Sequence, residues 1–138
     1  MGKMSEPVEV FDELEFIYCP SSDAAAESTY YVEALGARLV YAIEAFETRV
    51  AMLRLTDAGP KLLLAEHLHG EQPVLIYRVA DLDAAEAEFA RRGVRFSARF
   101  GFPDGEATEL EVPGPQRIAV YERTRPERAA QLEGRKDF

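Results

Sequence analysis

Two stretches of this chain repeat one another in order and in wording. Residues 16–36 run Phe-Ile-Tyr-Cys-Pro-Ser-Ser-Asp into an alanine-rich helical stretch that closes at Gly36, and Arg38-Leu39-Val40 follow. Residues 74–96 run Val-Leu-Ile-Tyr-Arg-Val-Ala-Asp into Leu-Asp-Ala-Ala-Glu-Ala-Glu-Phe-Ala-Arg-Arg, then Gly93 and Val94-Arg95-Phe96. Each copy is a short apolar strand, an Asp, an amphipathic helix, a terminating Gly and a further strand. A repeated unit of this size cannot bury its apolar face alone, so the copies pack into a pseudo-symmetric whole. Ligand sites in such folds tend to lie between the copies.

The 138 residues make one domain, 1–138, with module one over about 10–70, module two over about 71–123 and a polar tail over 124–138. A net charge of −9 argues against nucleic acid or an anionic membrane as a partner. Cys19 is the only cysteine, so no disulfide forms within the chain. No apolar run approaches the roughly 20 residues that span a bilayer, and Met1–Val10 lacks the apolar core of a signal peptide. A cytoplasmic location is expected.

The periodicities place elements along both copies. Val8–Phe11 and Leu14–Cys19 read as extended, and Pro20-Ser21-Ser22 ends the second. Asp23 suits a helix N-cap, with Ala24, Ser28, Tyr31 and Leu35 on one helical face and Gly36 closing it. Strands follow over Arg38–Phe46, Arg49–Thr56 and Lys61–Glu66, the last two joined by the turn Asp57-Ala58-Gly59-Pro60. In the second copy Pro73–Val79 is a strand, and Asp83 with Glu86 has capping-box spacing. Leu82, Ala85 and Phe89 then form the inward helix face. Val94–Phe100, Thr108–Val112 and Arg117–Tyr121 complete the strands, with Gly101–Gly105 as a loop. The order is βαβββ twice. From Thr124 the tail is polar, mixed in charge and interrupted by Pro126, and is expected to be mobile or to lie on the surface.

That order and several local phrases resemble the vicinal oxygen chelate superfamily, which includes glyoxalases, methylmalonyl-CoA epimerase, extradiol dioxygenases and bleomycin-resistance proteins. The phrases are Arg49-Val50-Ala51-Met52-Leu53 leading to Leu62-Leu63-Leu64-Ala65-Glu66, then Val79-Ala80-Asp81-Leu82-Asp83-Ala84-Ala85, and Val112-Pro113-Gly114-Pro115-Gln116-Arg117-Ile118. The resemblance covers about residues 14–122. It implies an α+β fold in which two βαβββ modules form a curved eight-stranded mixed sheet around a central cavity, usually as a homodimer.

The resemblance also implies where a divalent metal should sit. Its ligands, typically His or Glu from the first, fourth, fifth and eighth strands, fall on Phe16, Leu63, Val74 and Ala119. Phe16 stands seven residues before Asp23 and Val74 seven before Asp81, where the family has His. All four side chains here are apolar and offer no electron pair, whereas a catalytic metal takes at least three protein donors. No metal and no cofactor are therefore expected at that position. Glu66-His67-Leu68-His69 holds both histidines of the protein, and His67 and His69 would share a face if the strand ran on. The alternative is that both are exposed in the connector between modules.

Strand alternation sorts the remaining side chains. Tyr18, Lys61, Ala65, Ile76, Arg78, Arg117 and Tyr121 share a face with the lost ligand positions. Ile17, Cys19, Leu62, Leu64, Leu75, Tyr77, Ile118 and Val120 face the helices. The candidate ligand-binding set is Phe16, Tyr18, Leu63, Val74, Arg78, Arg117, Ala119 and Tyr121. The aromatics suit stacking on a planar ligand, and Arg78 or Arg117 suits two-pronged binding of a carboxylate. Pairing of strands five and eight would bring those two arginines near each other. Equally, the aromatics fill a closed core and each Arg pairs with an acidic neighbour such as Glu109 or Glu111. Cys19 on the helix side is inert, and no catalytic residue is assigned.

Three functions stay open. The first is metal-independent binding of a small organic molecule, resembling the bleomycin-resistance branch. The second is an enzyme of the same fold (lyase, isomerase or dioxygenase) with a non-standard metal site. The third is a ligand-free structural or regulatory homodimer with its cavity packed shut; a well-formed pocket of several hundred cubic ångströms would count against it.

Overall fold

The computed structural model describes residues 9–138; Val8, where the first expected extended segment begins, lies outside the described residues. Module one consists of β1 (Leu14–Pro20), α1 (Ala24–Glu33), β2 (Arg38–Ala45), β3 (Thr48–Arg54) and β4 (Lys61–Ala65). Module two consists of β5 (Val74–Arg78), α2 (Leu82–Arg91), β6 (Phe96–Phe102), β7 (Gly105–Leu110) and β8 (Arg117–Arg123), after which comes α3 (Pro126–Leu132). The eight strands form one mixed sheet in the order β2-β3-β4-β1-β5-β8-β7-β6. β1 runs parallel to β4 and β5 parallel to β8, while β1 and β5 meet antiparallel at the centre. The duplication read from the sequence is thus a structural pseudo-symmetry.

Local chemistry explains each helix. Asp23 accepts a hydrogen bond from the Ala26 amide at 3.0 Å, and Asp81 accepts from the Ala84 amide at 2.9 Å. Each satisfies one of the orphan donors of a first helical turn. The cap of α2 is therefore Asp81 rather than Asp83, and Glu86 bonds the Thr108 hydroxyl instead of closing a capping box. Gly36 and Gly93 take φ of +76° and +80°, the left-handed conformation that ends a helix without strain. Leu82, Ala85 and Phe89 form the buried face of α2 as expected. In α1 only Ala24 and Ser28 are fully buried; the helix ends at Glu33, and Leu35 lies beyond it, exposed.

Alternation divides the sheet into two apolar faces. Leu62, Leu64 and Cys19 pack with Ala37, Ala51 and Leu53 on the α1 side, and Ile118 and Val120 pack with Val79, Leu82, Ala85 and Phe89 on the α2 side. The other face collects Phe16, Tyr18, Leu63, Val74, Ile76, Ala119 and Tyr121. Tyr41, Ile43 and Met52 from one sheet edge join Phe102 and Ala107 from the other in that same cluster. Strands at opposite ends of the order share it only because the sheet curls.

Other expectations change as well. The expected loop Gly101–Gly105 narrows to Pro103-Asp104, because β6 runs on to Phe102 and β7 starts at Gly105. The segment before β1 makes no strand of its own among the described residues; the Asp12 amide bonds the Arg78 carbonyl at 2.8 Å, and the Phe11 ring sits edge-on to Tyr77 at 5.1 Å. The tail lies on the surface, one of the two expected outcomes, with no buried residue in α3, and it makes defined contacts there. Pro126 starts α3, because a missing N–H costs nothing in a first turn, and the chain then crosses to the edge strand β2. There Gly134 and Asp137 donate to the Val40 and Ala42 carbonyls at 2.8 and 2.7 Å, and the Ala42 amide donates to the Arg135 carbonyl at 2.9 Å. The Asp137 carboxylate accepts from the Glu44 amide at 2.9 Å, and the Phe138 ring lies under the Arg49 guanidinium. An edge left open would expose unpaired backbone groups; here the tail covers it.

Candidate functional site

The four positions at which the resemblance places metal ligands converge, but as packing. Phe16, Leu63, Val74 and Ala119 are all buried in the interior cluster, at most 3% exposed. Rings close over them: Phe16 lies 4.9 Å from Phe102 and 5.2 Å from Tyr121, while Tyr18 lies 5.1 Å from Phe102 and stacks on Phe100 at 5.9 Å. Edge-to-face rings at these separations are favourable contacts that fill space. Among the described residues, no three His, Cys, Asp or Glu side chains come together in a way that could hold a metal. The residues at this position do not fit the metal that the resemblance implies.

At one end of the interior Tyr18 meets the first histidine. Its hydroxyl lies 2.9 Å from Nε2 of His67, whose Nδ1 lies 3.1 Å from the Thr48 hydroxyl, so both ring nitrogens are engaged. Burial pushes the Tyr18 phenol up to about 12 against the opposing charge of Arg117. Burial, helped by His69, holds the His67 ring below its usual value. β4 ends at Ala65, so His67 and His69 lie in the connector and do not share a strand face. Glu66 receives Arg49 at 2.7 and 3.0 Å and the Ala24 amide at 2.8 Å, which holds its carboxyl below the usual range. It anchors the start of α1. Cys19 is half-buried and its thiol is pushed up to about 11 by burial, consistent with an inert packing role.

The two arginines singled out from the sequence do not meet. In the parallel register of β5 and β8, Val74 faces Arg117 and Arg78 faces Tyr121, which puts the arginines at opposite ends. Arg117 grips both oxygens of Glu109 at 2.9 Å. Arg78 is 3.1 Å from Asp12, 3.1 Å from Glu13 and 3.3 Å from Glu15. Each guanidinium already holds carboxylate.

A cleft of about 450 Å³ opens at the Phe16 end, between the curled sheet and α3. Phe16, Tyr41 and Met52 supply its apolar wall, Arg54 and Lys61 its cationic one, and Asp104 and the Ala129–Gly134 stretch the far side. Beside it stands a buried charge cluster. A bulge between Leu14 and Phe16 accompanies Glu15, which is 8% exposed and accepts from Lys61 at 3.1 Å, from Arg78 at 3.3 Å and from Arg123. Burial would raise the Glu15 carboxyl; Lys61 and Arg123 outweigh it and hold the group below its usual value. Asp104 lies 3.3 Å from Nε of Arg123. Of the candidate residues read from the sequence, only Phe16 lines this cleft. Tyr41, Met52, Arg54 and Asp104 were not singled out, because their approach depends on how the sheet curls and where the tail returns.

Comparison with solved structures places this architecture. The chain superposes on methylmalonyl-CoA epimerase from Mycobacterium tuberculosis with a TM-score of 0.70 at 20% identity, covering 86% of this chain and 92% of that one. A Streptomyces coelicolor methylmalonyl-CoA epimerase variant in complex with 2-nitronate-propionyl-CoA gives 0.67 at 20%, covering 90% and 99%. The fold is that of the vicinal oxygen chelate superfamily. A hypothetical protein from Bacillus halodurans also shares it, at 0.66 and 16% identity over 80% of this chain and 93% of that one. At these identities the likeness concerns fold alone. No family model and no curated protein sequence matches the chain.

Proposed function

We propose that this protein binds a small organic molecule without a metal, in the cleft between the curled sheet and α3. The observation that carries the reading is the cleft itself. At about 450 Å³ it is within the usual range for small-molecule sites, and it joins an apolar wall to a few polar groups. Its size also counts against a purely structural, ligand-free role. The epimerase neighbours favour a second reading, an enzyme of the same fold, but the donor-free positions at Phe16, Leu63, Val74 and Ala119 give metal chemistry of the implied kind no support. A homodimer in the cytoplasm belongs to the same proposal. The exposed apolar side chains Tyr30, Val32 and Leu35 at and just beyond the end of α1 are its support, and sedimentation equilibrium is its test. Among the described residues no helix is long and apolar enough to cross a membrane.

Thermal melting of the full chain with a small-molecule library, in excess chelator, tests the binding reading. Compounds that occupy the cleft raise the melting temperature saturably, as ligands selective for the folded state must. The rise persists with chelator and is lost in Ala129→Trp, which fills the cleft from α3. A rise that needs added metal, or that survives Ala129→Trp, contradicts the reading.

A further inference from the structure

The cations lining the cleft differ in what already holds them. Arg38 pairs with Asp57 at 3.1 Å and Lys61 pairs with Glu15 at 3.1 Å. Arg54 is the exception among the described residues: no carboxylate lies within ion-pair distance, and its one side-chain hydrogen bond is from Nη1 to the Asp57 carbonyl at 3.5 Å. It is half-buried at the end of β3, on the cleft it shares with Phe16, Tyr41 and Met52. A guanidinium stays charged at any relevant pH and presents a fork of donors matched to a carboxylate. Partial burial removes some of its water without supplying an anion in return. In a chain of net charge −9, where most arginines are held by Asp or Glu, a half-buried arginine on a cavity wall without such a partner keeps its forked donors for an anion from solution. The two acidic residues on the cleft do not fill it. Asp104 is held by Arg123, and Glu133 sits exposed on the rim where water screens it.

We infer that the cleft selects a small organic carboxylate, with the acid group in the fork of Arg54 and the apolar body against Phe16, Tyr41 and Met52. This rests on the proposed binding function and names the chemical class of its ligand. The arrangement also explains how an acidic protein tolerates an anionic ligand. The nearby Glu15 carboxylate is already surrounded by Lys61, Arg78 and Arg123, so the local field at the cleft is not the field of the whole surface.

The test is a paired series of acids and their neutral amides, from acetate and acetamide to 4-phenylbutyrate and 4-phenylbutyramide. Each is titrated into the isotopically labelled full chain while the amide resonances of Tyr41, Met52 and Arg54 are followed. The inference predicts saturable shifts, with the acid binding roughly tenfold or more tightly than its amide where the body fits, as a charge-assisted forked bond implies. Arg54→Gln brings acid and amide to within about twofold, and Arg54→Lys retains part of the preference. An unchanged resonance pattern elsewhere shows that the variants are folded. Amides that bind as tightly as acids, or a preference that survives Arg54→Gln, overturn the carboxylate assignment and leave cleft binding standing. If neither series moves the cleft resonances, the carboxylate assignment fails, while the binding reading is decided separately by the thermal-melting screen.

Discussion

Gly105 shows how closely a single position can be determined. A Cβ built there would lie 2.0 Å from the Glu122 carbonyl oxygen and 2.9 Å from the Tyr121 ring, and the first of these is backbone that cannot swing aside. Gly105→Ala should therefore lower unfolding stability by at least about 2 kcal/mol, measured by chemical denaturation, because overpacking a tight site forces the strands apart. Glu15 is a second such position, through charge. Its folded carboxyl titrates below the ordinary 4.5 of an unfolded chain, so the unfolded state binds more protons in acid and stability rises with pH across that window. The contribution is complete above 4.5 and disappears as pH falls through the folded value. In Glu15→Gln the melting temperature should lose part of this acid dependence and be lower at neutral pH, since Lys61, Arg78 and Arg123 lose the carboxylate between them. A pH-melting profile parallel to that of the parent would refute the assignment. None of this was legible at Glu15 in the sequence, where alternation alone turns it away from Phe16. The bulge between Leu14 and Phe16 interrupts the regular pairing beside it.

At the scale of elements, the strand and helix pattern was readable because each module carries its own signals: an Asp cap, an apolar helix face and a terminal Gly. The α2 face of Leu82, Ala85 and Phe89 is a direct case. The tail was readable only in part: its polarity puts it on the surface, but its pairing with β2 rests on backbone hydrogen bonds, and backbone groups leave no trace in side-chain composition. Hydrogen exchange checks this. The amides of Ala42 and Glu44 lie on an edge strand, yet they should be protected by the Arg135 carbonyl and the Asp137 carboxylate. In a chain ending at 125 that protection should be lost while the amides paired between β3 and β4 keep theirs. Rapid exchange of Ala42 in the full chain would contradict the clasp.

Across the whole molecule, the curl of the sheet decides which expectations about the site hold. Alternation correctly grouped Phe16, Tyr18, Leu63, Val74, Ala119 and Tyr121 on one face, and that face is the interior. Whether an interior face is a cavity or a core depends on what arrives from the far strands. Phe100 and Phe102 from β6 stack into it and close the part where a metal would sit. The open space lies instead under α3, walled by Arg54 and Tyr41. Arg78 and Arg117 stood out in the sequence as inward cations, but partner choice is a tertiary property, and both are held by acids from other strands and segments. What sets Arg54 apart from the other arginines of the cleft and sheet is its lack of a carboxylate partner among the described residues, a tertiary property that no sequence pattern carries. We propose that aromatic packing fills the position where the resemblance implies a metal and that a ligand binds instead in the cleft under α3. The most direct test is titration of zinc, manganese, nickel and iron(II) into metal-stripped full-length protein, followed by elemental analysis after gel filtration. Well below one ion per chain is expected for every metal. One tightly retained ion per chain, lost on mutation of Glu66, His67 or His69, would contradict it.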